Sequence, residues 1–440
     1  MKIAPCMLRL KTLDSVFIPF DNKKPLWYGA DKRYPDAPVR RFISANRASF
    51  AFLGIRAEAM EEGGRQGVKL ASSNFIGVVP LFSPISGKKG GTLVVEGRYG
   101  EDNEILQYVV DDVDIVFEPN YTITDSVDLG APLFLECCKY VDKFLEARKA
   151  GWHKFDNVKE IERMPRSSTI WTEYARRCSL SPHSALQFPN KHNILNTDHR
   201  EWRMLCAVAD YAASVIGRHT TPRSVRAHYS RRLDVLRQYL QNHPQLASSS
   251  ISVHASDPAV IKDLKRIAAN VLSGKTDRQV AWRLDYAQLF ERYVQFLVKT
   301  VASQQGGSVT SNARYSIEAR GTRPAWALAY LEPDIVYRRD GTETVIDAKY
   351  KSHMLNLGTA SDDLKDAFRH DLHQCLAYSS FSPGAFRRIM LVYPATQLVW
   401  RQMQIRSPFS DIRAVVTLAG IPLKKEELRA TVDFLAGRLA

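Results

Sequence analysis

Apolar residues in the first quarter of the chain occur in short runs or alternate with polar residues, a pattern that indicates β-strands. FIGVVPLF and TLVVEG lie on either side of the turn-forming sequence SPISGKKGG, and YVVDDVDIVFEP alternates apolar with polar positions. Alternation is typical of a strand with one buried face, and a short apolar run between turns is typical of a buried strand. Residues 1–125 are therefore predicted to form a β-rich N-terminal domain.

The glycine- and lysine-rich sequence GKKGGT in this region has two interpretations. A phosphate-binding loop requires the spacing G-x-x-x-x-G-K-[ST], which the sequence lacks. A hairpin loop between the two flanking strands requires only turn residues, and these are present. We therefore predict a hairpin loop.

Between residues 126 and 275 the apolar positions change to a spacing of three and four, which predicts helices. LFLECCKYVDKFLEARKA and EWRMLCAVADYAASVI both have this period. Cys137 and Cys206 fit these stripes as small core residues. The sequence thus predicts a helical, basic middle region over residues 126–275.

A cluster of arginines lies in this middle region, with Asp234 as the only acid among them. A guanidinium group matches the oxygens of a phosphate, so one interpretation is contact with a nucleic-acid backbone. A solvated helix face is the alternative. The candidate nucleic-acid-binding residues are Arg218, Arg223, Arg226, Arg231, Arg232 and Arg237.

A further amphipathic helix is predicted within LDYAQLFERYVQFLVKTVA, near the start of the C-terminal segment 276–440. Glu291 lies at the edge of its apolar stripe, where a carboxylate loses hydration unless a cation or hydrogen bonds compensate it. The stripe consists of Tyr286, Leu289, Phe290, Tyr293, Leu297 and Val301.

PDIVYRRDGTETVIDAKYK, which follows, predicts a β-hairpin. Asp340-Gly341 is a strong two-residue turn, because a type I′ turn requires positive φ at both positions. Counting outward from this turn places Asp334 directly opposite Asp347. Opposed side chains lie about 5 Å apart, and like charges at that distance are destabilising.

A bound divalent cation explains why two carboxylates face each other. Mg²⁺ takes oxygen ligands, usually one or two carboxylates, and keeps water molecules for chemistry. The strand period of two puts Lys349 on the same face as Asp347. This combination suits phosphodiester hydrolysis, in which a metal activates water and a nearby lysine stabilises charge on the phosphate.

A second helix and an apolar strand complete the C-terminal pattern. SDDLKDAFRHDLHQCLAYSSF begins with Ser361 as a predicted N-cap, and RIMLVYPA predicts the strand. His370, Gln374 and Tyr378 fall at successive four-residue steps on one ridge of the helix. His370 and His373 are expected at the surface.

Composition adds a strong positive charge to this picture. The 440 residues contain 61 lysines and arginines against 47 aspartates and glutamates, a net charge of +14. A chain of this length is expected to form two or three domains. The excess of positive charge attracts polyanions, of which nucleic acid is the obvious candidate; a charge that serves only solubility is the alternative.

Cysteine spacing and the N-terminal sequence bear on where the protein functions. No C-x-x-C pair occurs, so a structural zinc site is not expected. The start of the chain lacks the apolar run of a signal peptide, and no stretch approaches the roughly 20 apolar residues of a membrane span. We predict a cytoplasmic protein with reduced thiols and no membrane partner.

Four segments of the C-terminal region together resemble a known family. LFERYV, PDIV, DAKYK and HQCLAY, in that order, are similar to segments of McrC, the nuclease subunit of modification-dependent restriction systems. The resemblance is specific over residues 284–394. In the N-terminal part NFIGVVPLF is similar to the β-rich region of the family, whereas VVEGRYG stands where a basic element is expected.

This resemblance implies an α/β fold with a PD-(D/E)XK restriction-endonuclease-like domain over residues 276–440. The predicted order of helix, hairpin, helix and strand matches the core of that superfamily. The resemblance also implies that Asp334 and Asp347 ligate Mg²⁺, with help from Glu291; Mn²⁺ is the alternative metal.

The remaining catalytic roles are likewise implied by the resemblance. Lys349 would orient or activate the attacking water and stabilise charge on the phosphate. Gln374 and Tyr378 would support the site or contact the phosphate backbone.

The implied function is Mg²⁺-dependent cleavage of double-stranded DNA in a McrBC-like restriction and antiphage system. A separate AAA+ GTPase or ATPase would supply the motor, since the chain has no Walker A motif. The N-terminal region would then serve partner docking or target recognition. Two alternatives are a stand-alone DNA repair or processing nuclease and a catalytically silent DNA-binding adaptor.

Overall fold

The chain forms two compact units, one continuous and one assembled from both ends of the sequence. The continuous unit is Glu136–Lys275, and the other joins Met1–Leu135 with Thr276–Ala440. The predicted boundaries at residues 125 and 275 divide the chain into three segments. In the structure, the first and the third of these segments belong to the same unit. A computed structural model describes residues 6–21, 27, 36–100, 103–110, 112–123, 131–275, 279–318, 322–382, 386–406, 408 and 411–439.

Strands and helices are interspersed along the described residues. The strands are β1 Cys6–Lys11, β2 Ser15–Pro19, β3 Arg56–Glu62, β4 Arg65–Ala71, β5 Phe75–Phe82, β6 Lys89–Glu96, β7 Ile115–Ile123, β8 Lys154–Glu162, β9 Phe188–Asn196, β10 Gln279–Asp285, β11 Ser308–Ser311, β12 Tyr315–Ser316, β13 Tyr330–Leu331, β14 Ile335–Arg339, β15 Thr342–Ala348, β16 Phe386–Pro394, β17 Val399–Arg406 and β18 Arg413–Ile421. The helices are α1 Asp36–Ala45, α2 Arg47–Phe52, α3 Phe134–Ala150, α4 Trp171–Leu180, α5 Arg200–Gly217, α6 Arg223–Gln241, α7 Ala259–Gly274, α8 Tyr286–Gln305, α9 Asp362–Ser379 and α10 Leu428–Leu439.

The N-terminal part of the larger unit is built on sheets, as predicted. Within the described ranges its main sheet has the order β1-β6-β5-β10-β7, and β2-β4-β3 form a smaller sheet. β5 and β6 pair antiparallel on either side of residues 83–88, which confirms the predicted hairpin, although Lys89, Gly90 and Gly91 of the predicted turn belong to β6. The strand predicted in YVVDDVDIVFEP begins only at Ile115, because Asn103–Tyr108 forms a 3₁₀ helix. Trp27, Phe42 and Leu93 are fully buried in the core.

β10 comes from the C-terminal segment and is inserted between β5 and β7. Trp282 of β10 pairs with Val78 on one side and with Phe117 on the other. A Cβ atom at Gly77, whose φ is +149°, would lie 2.0 Å from the carbonyl oxygen of Trp282. Glycine is therefore required where the two strands approach. This insertion is why the two ends of the chain share a unit.

The same strand leads directly into α8. Asp285 ends β10, and its carboxylate accepts a 2.8 Å hydrogen bond from the backbone N–H of Ala287, which caps the helix. Asn74 Nδ2 donates to the same carboxylate at 2.6 Å. Tyr108 stacks on Phe296 of α8 with 4.6 Å between ring centroids. The helix is thus fixed to the N-terminal sheet at its start and near its middle.

A second large sheet forms the C-terminal part of this unit. In the described residues its order is β11-β14-β15-β16-β18-β17. The β14–β15 hairpin has the predicted register, with Val336 opposite Val345. Asp340 and Gly341 have φ of +49° and +74°, as a type I′ turn requires. β16 runs parallel to β15, which confirms the predicted apolar strand after the second helix.

The apolar stripe predicted for α8 is buried in full. Side chains at three- and four-residue spacing exclude water from one face of the helix, which explains its stability in this position. The buried positions include Tyr286, Leu289, Phe290, Tyr293, Leu297 and Val301.

The middle unit contains the predicted helices and one element that the sequence pattern did not indicate. Cys137 in α3 and Cys206 in α5 are fully buried, as predicted. β8 and β9, however, form an antiparallel hairpin. Its strands expose residues such as Phe155 and Ile194 at 69% and 40%, so they lack the buried face that produces an alternating pattern. None of the described helices has the length and apolar character needed to cross a membrane.

Candidate metal centre

Asp347 is the centre of the C-terminal site. It lies near the end of β15, beside the parallel strand β16, and its side chain is fully buried. Lys349 Nζ lies 2.7 Å from Asp347 Oδ2. The Cys375 thiol is a second neighbour that lowers the pKa of Asp347, but no described residue donates a well-oriented hydrogen bond to either carboxylate oxygen. Asp347 therefore has one ion-pair partner and unused acceptor capacity.

The pKa values of this pair reflect burial and mutual attraction. Burial raises the pKa of Asp347, and Lys349 only partly opposes this effect. Burial on its own would lower the pKa of Lys349, but the Asp347 carboxylate outweighs it, so the pKa is raised. Lys349 thus carries its positive charge beside a carboxylate that is costly to keep ionised.

Asp334, just before β14, reaches the same strand. Its Oδ2 accepts a 2.9 Å hydrogen bond from the backbone N–H of Ala348, the residue between Asp347 and Lys349. The hairpin ladder ends one residue earlier, at Ile335 opposite Ile346. Burial and then the Asp347 charge raise the pKa of Asp334 to about 7. The structure thus brings the two predicted aspartates into electrostatic contact.

Glu291 belongs to a polar network beside this pair. Its Oε1 accepts hydrogen bonds from Gln295 Nε2 at 3.1 Å and from Asn312 Nδ2 at 3.4 Å. The backbone N–H of Asn312 donates in turn to the carbonyl oxygen of Asp334 at 3.0 Å. The Glu291 charge contributes to the raised pKa of Asp334. Among the described residues, however, Glu291 does not form a set with both aspartates in which all ligand atoms lie within 4.8 Å.

α9 supplies the other predicted residues. Gln374 Nε2 donates a 2.7 Å hydrogen bond to the hydroxyl oxygen of Tyr378, one turn further on. Burial raises the pKa of Tyr378, and the Asp347 charge adds to the effect. His370 and His373 are exposed, as predicted. Ser361 occupies the N-cap position, but its side chain makes no capping hydrogen bond.

Sequence reasoning missed a second lysine–aspartate pair beside the first. Lys351 Nζ lies 2.6 Å from Asp371 Oδ1, and Asp371 is only 1% exposed. The Tyr393 hydroxyl donates to the other oxygen of Asp371 at 3.3 Å. The sequence offered one indication, since Lys349 and Lys351 are two residues apart and therefore expected on the same face of an extended segment. The partner Asp371 could not be recognised, because the sequence does not show that this position of the helix is buried.

The predicted arginines lie in the middle unit. Arg231 and Arg232 of α6 line a groove of about 440 Å³ together with Arg148, Lys149 and His228. Arg232 also lies 3.2 Å from Asp142. The remaining members of the set lie elsewhere on α6 or, for Arg218, at the C-cap of α5; all are exposed except Arg226, which is half-buried.

One group of potential metal ligands is found away from the predicted centre. Among the residues that the structure describes, only Glu160, Glu162 and His192 of the β8–β9 hairpin bring three ligand atoms within 4.8 Å of one another. Arg166 Nε donates a 2.7 Å hydrogen bond to Glu162 Oε2, and Asn190 donates to the same oxygen. These contacts stabilise the carboxylate without a metal.

Comparison with protein families shows where the chain belongs. The model of the McrBC family, described as a component of the McrBC 5-methylcytosine restriction system, matches residues 172–394, half of the chain. The chain belongs to the McrBC family. The matched range includes Glu291, Asp334, Asp347 and Lys349, so the site lies within the segment typical of McrBC proteins. No curated protein matches the chain.

Two solved McrBC structures are similar to this chain at low identity. A half-complex from the tetradecameric assembly of Thermococcus gammatolerans McrB AAA+ hexamers with bound McrC has 14% identity and a TM-score of 0.43, over 98% of this chain and 100% of that one. The T. gammatolerans McrBC complex has 12% identity and a TM-score of 0.29, over 67% of this chain and 88% of that one.

Proposed function

We propose that this chain is a Mg²⁺-dependent DNA endonuclease subunit of a McrBC-type restriction system. The observation that carries the proposal is the Asp347 carboxylate, buried beside Lys349 and Asp334 with acceptor capacity unused. Membership of a family of restriction-system components supports the same function. The fold of the C-terminal part is proposed to be of the PD-(D/E)XK type.

The residues present fit a divalent cation. Mg²⁺ prefers oxygen ligands, and Mn²⁺ accepts the same ones. A cation held by Asp334 and Asp347 would offset the burial that raises the pKa of both carboxyl groups, and the Asp347 charge that adds to the effect at Asp334. Glu291 is proposed to assist from the adjacent network. When bound, such a cation lowers the pKa of a coordinated water and neutralises charge on the phosphate.

The chain's own side chains supply the remaining functions. The Lys349 ammonium is held by Asp347, so it is positioned to stabilise charge on the scissile phosphate or to orient the attacking water. The hydrogen bond from Gln374 holds the Tyr378 hydroxyl, whose pKa is raised by burial and by the charges of Asp347 and Asp334. We assign these two residues to positioning of the substrate backbone.

Double-stranded DNA and a separate motor are the proposed partners. The groove formed by α3 and α6 presents Arg148, Lys149, Arg231 and Arg232, which suits contact with phosphates. An AAA+ GTPase or ATPase would dock on the β-rich N-terminal part. The GKKGG sequence, which spans the end of the β5–β6 turn and the start of β6, would be part of the contact. In the T. gammatolerans assembly McrC is bound to McrB AAA+ hexamers.

Cleavage by Asp347→Asn and Asp340→Asn variants tests the nuclease proposal. Asp340 lies in the same hairpin but is 84% exposed at the turn, where asparagine tolerates positive φ. With Mg²⁺ and an AAA+ motor of the McrB type, we expect Asp347→Asn to abolish DNA cleavage and Asp340→Asn to retain it. Normal cleavage by folded Asp347→Asn would contradict the assignment.

The same assay separates the two alternative functions. Full cleavage by the wild-type chain without any motor would identify a stand-alone nuclease. DNA binding without cleavage, under Mg²⁺ or Mn²⁺ and with the motor present, would identify an adaptor.

A further inference from the structure

An arm of residues 313–331 leaves the C-terminal sheet between β11 and β14. Its two short strands, β12 and β13, pair antiparallel, with Tyr315 opposite Leu331 and Ser316 opposite Tyr330. The backbone N–H of Ile317 donates to the carbonyl oxygen of Ala329 at 2.9 Å. The arm, described except for residues 319–321, is therefore a small hairpin with defined pairing near its base.

The base of the arm is part of the candidate metal centre. Asn312 directly precedes the arm and Asp334 lies just after it, and the Asn312 N–H donates to the Asp334 carbonyl oxygen at 3.0 Å. Asn312 Oδ1 also accepts a 2.6 Å hydrogen bond from Gln295 of α8. Asn312 has a φ of +51°, a left-handed conformation that asparagine tolerates. The base of the arm therefore lies directly beside Asp334.

The arm exposes large apolar side chains to solvent. Trp326 is 86% exposed, more than any other of the chain's seven tryptophans, all of which are described. Leu328 and Tyr330 are exposed at 65% and 37%. Tyr315 stacks on Phe381, just after α9, with 5.2 Å between centroids, and Phe381 is itself 58% exposed. An exposed group of aromatic side chains of this kind indicates a binding surface.

The arm also contains two arginines, one of which lies against an aromatic ring. The Arg314 guanidinium lies 4.5 Å from the ring centroid of Tyr330 and 3.6 Å from the Glu332 carboxylate. Arg323 donates a hydrogen bond to the carbonyl oxygen of Ile317. Aromatic faces with guanidinium groups between them fit nucleic acid whose bases are out of the duplex stack: the rings stack on bases and the cations meet phosphates.

We propose that the arm binds unpaired or unstacked bases of the DNA beside the scissile phosphate, with Trp326 stacking on a base. This inference rests on the proposed nuclease function and adds a substrate feature to it. The arm fits DNA better than an apolar protein partner, because the Arg314 guanidinium lies against the Tyr330 ring and the base of the arm lies beside Asp334 of the candidate metal centre.

DNA affinity of the full-length chain with Ca²⁺ in place of Mg²⁺ tests the proposal. The probes are a fluorescent duplex with a central two-base mismatch bubble and the same duplex fully paired. We expect Trp326→Ala to weaken binding to the bubble by about ten-fold and to the paired duplex by less than two-fold. Trp326→Phe should retain most of the affinity. Trp400→Ala, at an exposed position on β17, is the matched control and should bind both probes like the wild type.

Two results would overturn the proposal. Unchanged bubble affinity of Trp326→Ala would assign the arm to a protein partner, and an equal loss on both probes would contradict recognition of unpaired bases. If wild-type protein cleaves DNA while Trp326→Ala behaves normally, the nuclease function stands and the arm proposal fails. If no cleavage occurs but Trp326→Ala selectively loses bubble binding, the arm proposal stands and the nuclease function fails.

Discussion

Two like charges are held together at the candidate metal centre by the groups around them. Asp334 is fixed by the backbone N–H of Ala348, and Asp347 is held by the Lys349 ammonium. Neither contact fully compensates burial, so the pKa of Asp334 is raised to about 7 and that of Asp347 is also raised. In the absence of a metal, this arrangement favours retention of a proton at the site.

The stability of the metal-free protein should therefore depend on pH through Asp334. Its pKa is about 7 in the folded state and about 3.9 in the unfolded state, so the folded state binds the proton more tightly. This contribution to stability is complete below about pH 4 and is lost as pH rises to about 7. We expect Asp334→Asn to be more stable than the wild type at pH 8 by about 2 kcal/mol, half of the full effect because the carboxyl is partly exposed.

Urea unfolding in EDTA at pH 5 and pH 8 measures this difference. Added Mg²⁺ should stabilise the wild type at pH 8 and have little effect on Asp334→Asn. Equal pH dependence of the two proteins would show that Asp334 ionises normally.

Variants of the two lysine–aspartate pairs should distinguish an effect on catalysis from an effect on stability. Both Lys349→Met and Lys351→Met leave a buried aspartate without its cation, so each should destabilise the chain by about 1–3 kcal/mol. Only Lys349 pairs with a proposed metal ligand, so Lys349→Met should reduce cleavage at least about 100-fold, whereas Lys351→Met should stay within about ten-fold of the wild type. Cleavage rates under saturating Mg²⁺, with thermal unfolding of the same samples, check this. A similar loss of cleavage in both variants would assign Lys349 a structural role only.

At the scale of elements, the sequence predicted those features that depend on residues close together in the chain. The β14–β15 register followed from the turn at Asp340-Gly341, and the buried stripe of α8 followed from its spacing. The β8–β9 hairpin could not be recognised, because most of its side chains are exposed on both faces. The place of β10 could not be predicted either, since its neighbours β5 and β7 lie far away in the sequence and no local pattern specifies that pairing.

Substitutions at Gly341 test how much the conformation of the hairpin turn contributes to stability, because a side chain added there would not clash with its surroundings. It has a φ of +74°, and a Cβ placed there would meet nothing within 4 Å. Gly341→Val should therefore destabilise the chain by about 1–2 kcal/mol through backbone strain alone, whereas Gly341→Asn should be nearly neutral. Equal denaturation midpoints for the two variants would mean that the turn relaxes to another type.

At the scale of the whole molecule, one unit is continuous in sequence and the other is not. Glu136–Lys275 has its own core, in which Leu205, Leu236 and Leu264 are fully buried. A fragment that starts at Thr276 would remove β10 from both of its sheet neighbours, β5 and β7.

Fragments of the chain should therefore differ in their ability to fold. We expect residues 136–275 alone to give a soluble, cooperatively unfolding protein, and residues 276–440 alone to aggregate or remain partly unfolded. Circular dichroism, thermal unfolding and limited proteolysis of the two purified fragments check this. A stable 276–440 fragment that cleaves DNA would mean that β10 is dispensable for the site.

β10 passes into α8 without an intervening loop, and Asp285 belongs to both the strand end and the helix cap. A force applied to the N-terminal sheet is therefore transmitted along covalent backbone to the helix that bears Glu291. The stacking of Tyr108 on Phe296 is a second contact that fixes the same helix. A motor protein bound to this sheet would therefore move the candidate metal centre together with the sheet, because no flexible loop separates β10 from α8.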